Sequence, residues 1–124
     1  KKVSGKTKLI GVTVLTSLND KSLKEIGFSK KVKKLVIQQV KLANKAKLDG
    51  IVCSAQEVSI IRKIFKKEII TPGIRFNSKT NDQKRILTPK QAYNNGSDWL
   101  VIGRPITKGN IKKNIKNLID HLNQ

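Results

Sequence analysis

Gly50-Ile51-Val52-Cys53-Ser54-Ala55-Gln56-Glu57, with Val58, Ile61, Ile64 and Phe65 behind it, reads as one β/α unit. Gly50 to Ser54 is nearly continuous in apolar residues, as in a strand buried on both faces. Ser54 and Glu57 stand three apart just ahead of a helical apolar stripe, the spacing of a capping box in which each side chain satisfies an orphan backbone donor. Three further runs have the same strand character: Leu9 to Leu15, Glu68 to Thr71 and Trp99 to Gly103.

Helical patterns fill the gaps. Asn19 to Ile26 predicts a short helix closed by Gly27. Ser29 is expected to cap a longer one, whose stripe is Val32, Leu35, Val36, Val40, Ala43 and Ala46 with lysines opposite. Thr88-Pro89 is a cap with proline at the first helical position, and Gly96 stops that helix. Ile111, Ile115, Leu118, Ile119 and Leu122 mark a terminal helix starting near Asn110. Strand and helix alternate four times, the pattern of an α/β fold with parallel strands and right-handed crossovers. Ile74 to Leu87 breaks the rhythm with polar residues and reads as a lid. The chain divides into a basic lead-in, residues 1–8, and one domain over 9–124, with the lid at about 75–87.

The 124 residues carry a formal net charge of +19, and 37% are hydrophobic. No apolar run approaches the ~20 residues that span a bilayer. Lys1 to Lys8 has no apolar stretch with a cleavage site behind it, so it does not read as a signal peptide. A single cysteine, Cys53, excludes an internal disulfide and fits a reducing, cytoplasmic compartment. One histidine and one cysteine argue against a zinc site. The absence of methionine and the start at Lys1 read as a fragment.

The charge invites a nucleic-acid reading. Lysine supplies 23 of the 27 basic residues, and lysine, isoleucine and asparagine together make 49 of the 124, a composition that an A+T-rich genome imposes on any protein. The five aromatic residues form no stacking series. A basic binding module for RNA stays as an alternative, with nucleic acid the less favoured partner.

Ligands of parallel α/β folds bind at the C-terminal ends of the strands. Thr71-Pro72-Gly73-Ile74-Arg75 and Ile102-Gly103-Arg104-Pro105 each set a glycine beside an arginine there. Glycine lets a backbone N–H approach an anion, and arginine adds a fork matched to phosphate oxygens. If these strands are the last two of a barrel, Arg75, Gly103 and Arg104 hold a phosphate. Gln83, late in the lid, is placed either to close onto a ligand or to sit in solvent. Thr16 and Ser17 read as donors to a bound ring or as capping residues before Asn19. Cys53 reads as a small buried hydrophobe and His121 lies away from the strand ends. Asp49 and Asp98 precede their strands and face the opposite rim; Glu57 is spent in its capping box. Binding features are therefore present without an evident acid, base or nucleophile.

Five segments, in order and near-family spacing, resemble orotidine 5′-phosphate decarboxylase: Val12-Thr13-Val14-Leu15-Thr16-Ser17, Leu48 to Glu57, Thr71 to Arg75, Asp82-Gln83-Lys84-Arg85 with Thr88-Pro89, and Val101 to Thr107. The resemblance runs from about Leu9 to the C-terminus. It implies a TIM (β/α)8 barrel, of which this chain is the C-terminal half, strands five to eight. It implies conversion of orotidine 5′-phosphate to UMP and carbon dioxide, the last step of de novo UMP synthesis, with no cofactor and no metal. It implies that Thr16 contacts the base, that Gln83 closes over base and phosphate, and that Arg75, Gly103 and Arg104 bind the phosphate.

The family's proton donor is a lysine in an Asp-x-Lys-x-x-Asp motif on the third strand, which this chain lacks. Asp82-Gln83-Lys84 imitates its start, but Leu87 stands where the last aspartate belongs. No catalytic residue is therefore expected here, and the complete protein is expected to be a homodimeric enzyme, because the family lends an aspartate across its dimer interface. The remaining alternative is a truncated, inactive half-barrel.

Overall fold

The computed structural model describes residues 5–15, 17–75 and 87–123. Four strands, β1 (Ile10–Val12), β2 (Gly50–Val52), β3 (Glu68–Pro72) and β4 (Trp99–Val101), form one sheet in that order. Every neighbouring pair is parallel. Strand order follows chain order, so successive crossovers advance in one direction. A barrel is wound that way, whereas a doubly wound sheet reverses at its switch point.

Helices α1 (Asp20–Glu25) and α2 (Val32–Lys45) connect β1 to β2, α3 (Val58–Ile64) connects β2 to β3, and α4 (Pro89–Asn94) precedes β4. A four-residue helix α5 (Arg104–Thr107), which periodicity did not foreshadow, and the terminal α6 (Ile111–Asn123) follow. Asn19 caps α1 by accepting from the Ser22 N–H at 2.9 Å. Thr88 and Gln91 complete a reciprocal box around Pro89 at the start of α4. Asn110 accepts from the Lys113 N–H at 3.0 Å and so launches α6 where the sequence places it.

Two caps differ from expectation. Ser54 and Glu57 do not form a capping box: a turn over residues 55–57 intervenes, α3 begins at Val58, and Ser54 Oγ accepts only from the Gln56 N–H at 3.4 Å. Ser29 does not cap α2. The Asp20 carboxylate of α1 reaches across to accept from the Val32 N–H at 2.8 Å, so a tertiary acceptor serves that end.

The core lies on one side of the sheet. Ile51 and Ile69 stand in register and are fully buried beneath Val36 and Val40 of α2 and Val58, Ile61 and Phe65 of α3. A second cluster joins Ala55, Ile74 and Ala92, with Leu87, Leu100 and Ile102 against it. The opposite face departs from the expectation of strands buried on both sides. Val12, Val52, Ile70 and Trp99 form one row across the sheet. At its ends Val12 is 63% and Trp99 58% exposed. Ile10 and Val101 share that face by the two-residue alternation and are also exposed. Among the described residues no layer covers it. Ile111, Ile115 and Ile119 of α6 are exposed as well, so the terminal stripe is only partly used.

Candidate functional site

At the N-terminal rim the carboxylates are structural. Asp49 accepts from the Leu9 N–H at 2.9 Å, and Asp98 accepts from the Ile69 N–H at 2.8 Å. Each ties the start of its strand to a neighbour, as the sequence reading of the opposite rim requires.

The other rim carries a cleft of about 460 Å³. Its walls come from the ends of three strands: Val14 and Leu15 after β1, Ser54 and Ala55 after β2, and Pro72, Gly73 and Arg75 after β3. Leu18, Val32 and Ile60 add apolar surface. Small-ligand sites have this mixture of apolar wall and a few polar groups. Gly73 has φ +77°, a left-handed conformation that favours glycine and swings the chain out of β3. Ile74 then inserts into the second core cluster and leaves Arg75 exposed at the cleft.

The expected site residues fall into three groups. Arg75 lines the cleft. Gly103 and Arg104 follow β4 at the same rim, where Gly103 precedes α5, but they are not among the cleft-lining residues. A Cβ built at Gly103 would meet nothing within 4 Å, so the space over its backbone is open. Thr16, Gln83 and nearly all of the lid lie outside the described residues. Ser17 is exposed and does not cap α1, a task that Asn19 performs.

Cys53 is 1% exposed, and burial pushes its thiol up to about 12, with the Glu57 charge adding and Arg62 opposing. A thiol so protonated is a packing residue and not a nucleophile. Among the described residues no group of three His, Cys, Asp or Glu side chains could hold a metal ion. None of the described helices is long and apolar enough to cross a membrane.

Six polar residues of the cleft were missed as site residues: Asn19, Asp20, Lys33, Ser54, Gln56 and Glu57. Ser54 to Glu57 fits a capping box in sequence, which assigns these residues to a helix end; the box does not form, and Ser54, Gln56 and Glu57 line the cleft. Asn19 and Asp20 immediately follow the β1 end and carried a signal of position. Lys33 carried none, because it enters the site only through the packing of α2.

The chain matches the profile of the "Orotidine 5'-phosphate decarboxylase / HUMPS family" over residues 1–115. It is 53% identical over 116 residues to a protein of Wolbachia sp. subsp. Brugia malayi named orotidine 5′-phosphate decarboxylase, covering 92% of this chain and 52% of that one. A Coxiella burnetii protein of the same name is 52% identical over 103 residues, covering 81% of this chain and 44% of its own. The crystal structure of orotidine 5′-phosphate decarboxylase from Lactobacillus acidophilus superposes with a TM-score of 0.76 at 31% identity, over 94% of this chain and 50% of that one. The chain thus spans about half the length of the curated relatives it matches.

Proposed function

The chain belongs to the orotidine 5′-phosphate decarboxylase / HUMPS family, and from that premise we propose that the complete protein converts orotidine 5′-phosphate to UMP and carbon dioxide in de novo pyrimidine biosynthesis. The likeness to relatives of that name over most of the chain carries this reading. The order of the five motifs in the sequence supports its finer form: this chain is the C-terminal half of the barrel, strands five to eight. It supplies the phosphate- and base-binding half of the site, and the Asp-x-Lys-x-x-Asp segment belongs to the other half. The complete enzyme is a cytoplasmic homodimer that needs no cofactor.

In this reading Arg75 and Arg104 neutralise the substrate phosphate, and Gly103 presents its backbone N–H where no side chain obstructs the approach. Thr16 meets the base and Gln83 closes over base and phosphate. These contacts supply binding energy away from the reacting carbon. Such energy accelerates the reaction only where preorganised charge stabilises the developing carbanion. That charge comes from the absent lysine and aspartates, so this chain alone does not catalyse. The exposed row from Val12 to Trp99 is the barrel interior, which the other four strands fill.

Growth without uracil of a strain lacking the decarboxylase tests the proposal. This chain alone is expected to give no growth. Joined behind the N-terminal half of the Wolbachia relative it is expected to restore growth. A folded chimera that forms no UMP from orotidine 5′-phosphate would sink the assignment.

A further inference from the structure

Four charged side chains line the cleft: Asp20, Glu57, Lys33 and Arg75. The two carboxylates are already engaged. Asp20 accepts from the Val32 N–H at 2.8 Å, and Glu57 also has an interaction partner. The two cations are not: among the described residues neither Lys33 nor Arg75 makes a side-chain hydrogen bond or ion pair. They approach from different elements, Lys33 from the first turn of α2 and Arg75 from the loop after β3.

The placement of Lys33 runs against local preference. The first turn of α2 contains no acidic residue and opens Val32-Lys33-Lys34, where the helix dipole favours anions. Departures from a local rule concentrate at functional sites. Lys34, its neighbour, is not among the residues lining the cleft.

We propose that Lys33 is a second cationic contact of the cleft, which together with Arg75 captures the phosphate monoester of the ligand. This rests on the nucleotide-phosphate reading above and adds a residue to it. An uncommitted cation at the mouth of an open cleft raises the local concentration of an anion and contributes modestly to holding it. Lys33 touches no reacting bond in this role; it affects binding.

Titration of UMP and, separately, of inorganic phosphate into the full 124-residue chain tests this. The proteins compared are the wild type, Lys33→Gln, Lys33→Arg and Lys34→Gln. Lys33→Gln is expected to weaken both probes roughly two- to fivefold at low salt, the scale of an exposed ion pair, with the difference shrinking as salt rises. Lys33→Arg is expected to retain affinity and Lys34→Gln to leave it unchanged. Equal affinity of Lys33→Gln and the wild type would overturn the proposal, and so would equal losses in Lys33→Gln and Lys34→Gln, which would mark a general effect of net charge. A wild type that binds phosphate as well as UMP, with the Lys33 dependence intact, would remove the nucleotide reading and leave the anion contact standing. A wild type that binds neither would overturn both.

Discussion

Arg62 of α3 grips the carbonyl of Gly96, donating from Nε at 2.8 Å and from Nη2 at 2.6 Å, while the same guanidinium reaches the carboxylate of Asp98. It also donates to the Lys67 carbonyl at 2.8 Å. One side chain therefore fastens the end of α3, the approach to β3 and the turn that launches β4. Gly96 has φ +102°, and a Cβ there would lie 3.0 Å from Arg62 Cγ, so both conformation and space demand glycine. Arg62→Ala is expected to cost about 2 kcal/mol, since several carbonyls lose a charged donor at once. The Asp98 pair adds little to that figure because the carboxylate is 44% exposed. Urea unfolding of the two proteins measures the difference. Gly96→Ala should destabilise the chain by a similar mechanism, through the strained turn.

Thr71 and Ser97 share a buried hydroxyl–hydroxyl hydrogen bond of 2.7 Å. Ser97 Oγ also donates toward the Trp99 carbonyl at 3.0 Å. Ser97→Ala strands the Thr71 hydroxyl in the core and is expected to cost about 1–3 kcal/mol. Adding Thr71→Val removes the stranded group. The double variant is therefore expected to be at least as stable as Ser97→Ala alone, and a clearly lower denaturation midpoint for the double variant would contradict this account of the pair.

Cys53 provides a pH-dependent signature. Its thiol is held up to about 12 by burial, above the ordinary value of about 8.5 in an unfolded chain. A raised thiol pKa favours the folded state fully below the unfolded value, and the contribution is lost as pH climbs through the folded one. Native protein at pH 8 is expected to react slowly with a disulfide reagent, and the same protein in denaturant quickly. Prompt native labelling would show that Cys53 is less enclosed than its burial indicates.

Asp20 is the acceptor on which the cleft wall depends, because it joins α1 to the first turn of α2. Asp20→Ala is expected to cost about 1 kcal/mol, as for other lost helix caps. It should also weaken UMP binding by loosening the wall that carries Lys33. Asp20→Asn keeps an acceptor and should retain most of the stability. Thermal melts and UMP titration of the two variants separate these effects.

Much of the architecture was legible in residue order. The β-branched runs place all four strands, and Gly27, Thr88-Pro89 and Asn110 place helix boundaries, because these signals act within a few residues. What escaped was set by contacts between distant parts of the chain. Asp20 displaces Ser29 as the cap of α2 from twelve positions upstream of Val32. The Ser54 to Glu57 pattern fits a capping box, but the chain leaving β2 takes a turn first, and Glu57 ends at the cleft. Lys33 was invisible for the same reason: it is one lysine among 23 until α2 packs beside the strand ends. Of the residues read as phosphate contacts, Arg75 reaches the cleft, while Gly103 and Arg104 share its rim without lining it.

Trp99 sits at the end of the uncovered row and is the only tryptophan in the chain. Its indole is therefore a built-in optical probe of that one surface. While the face meets water its emission lies toward the red; a layer of strands closing over it would move the emission to the blue and slow quenching by iodide. Assembly of the sheet with whatever completes it can be followed in real time by fluorescence, with no label and no engineered residue.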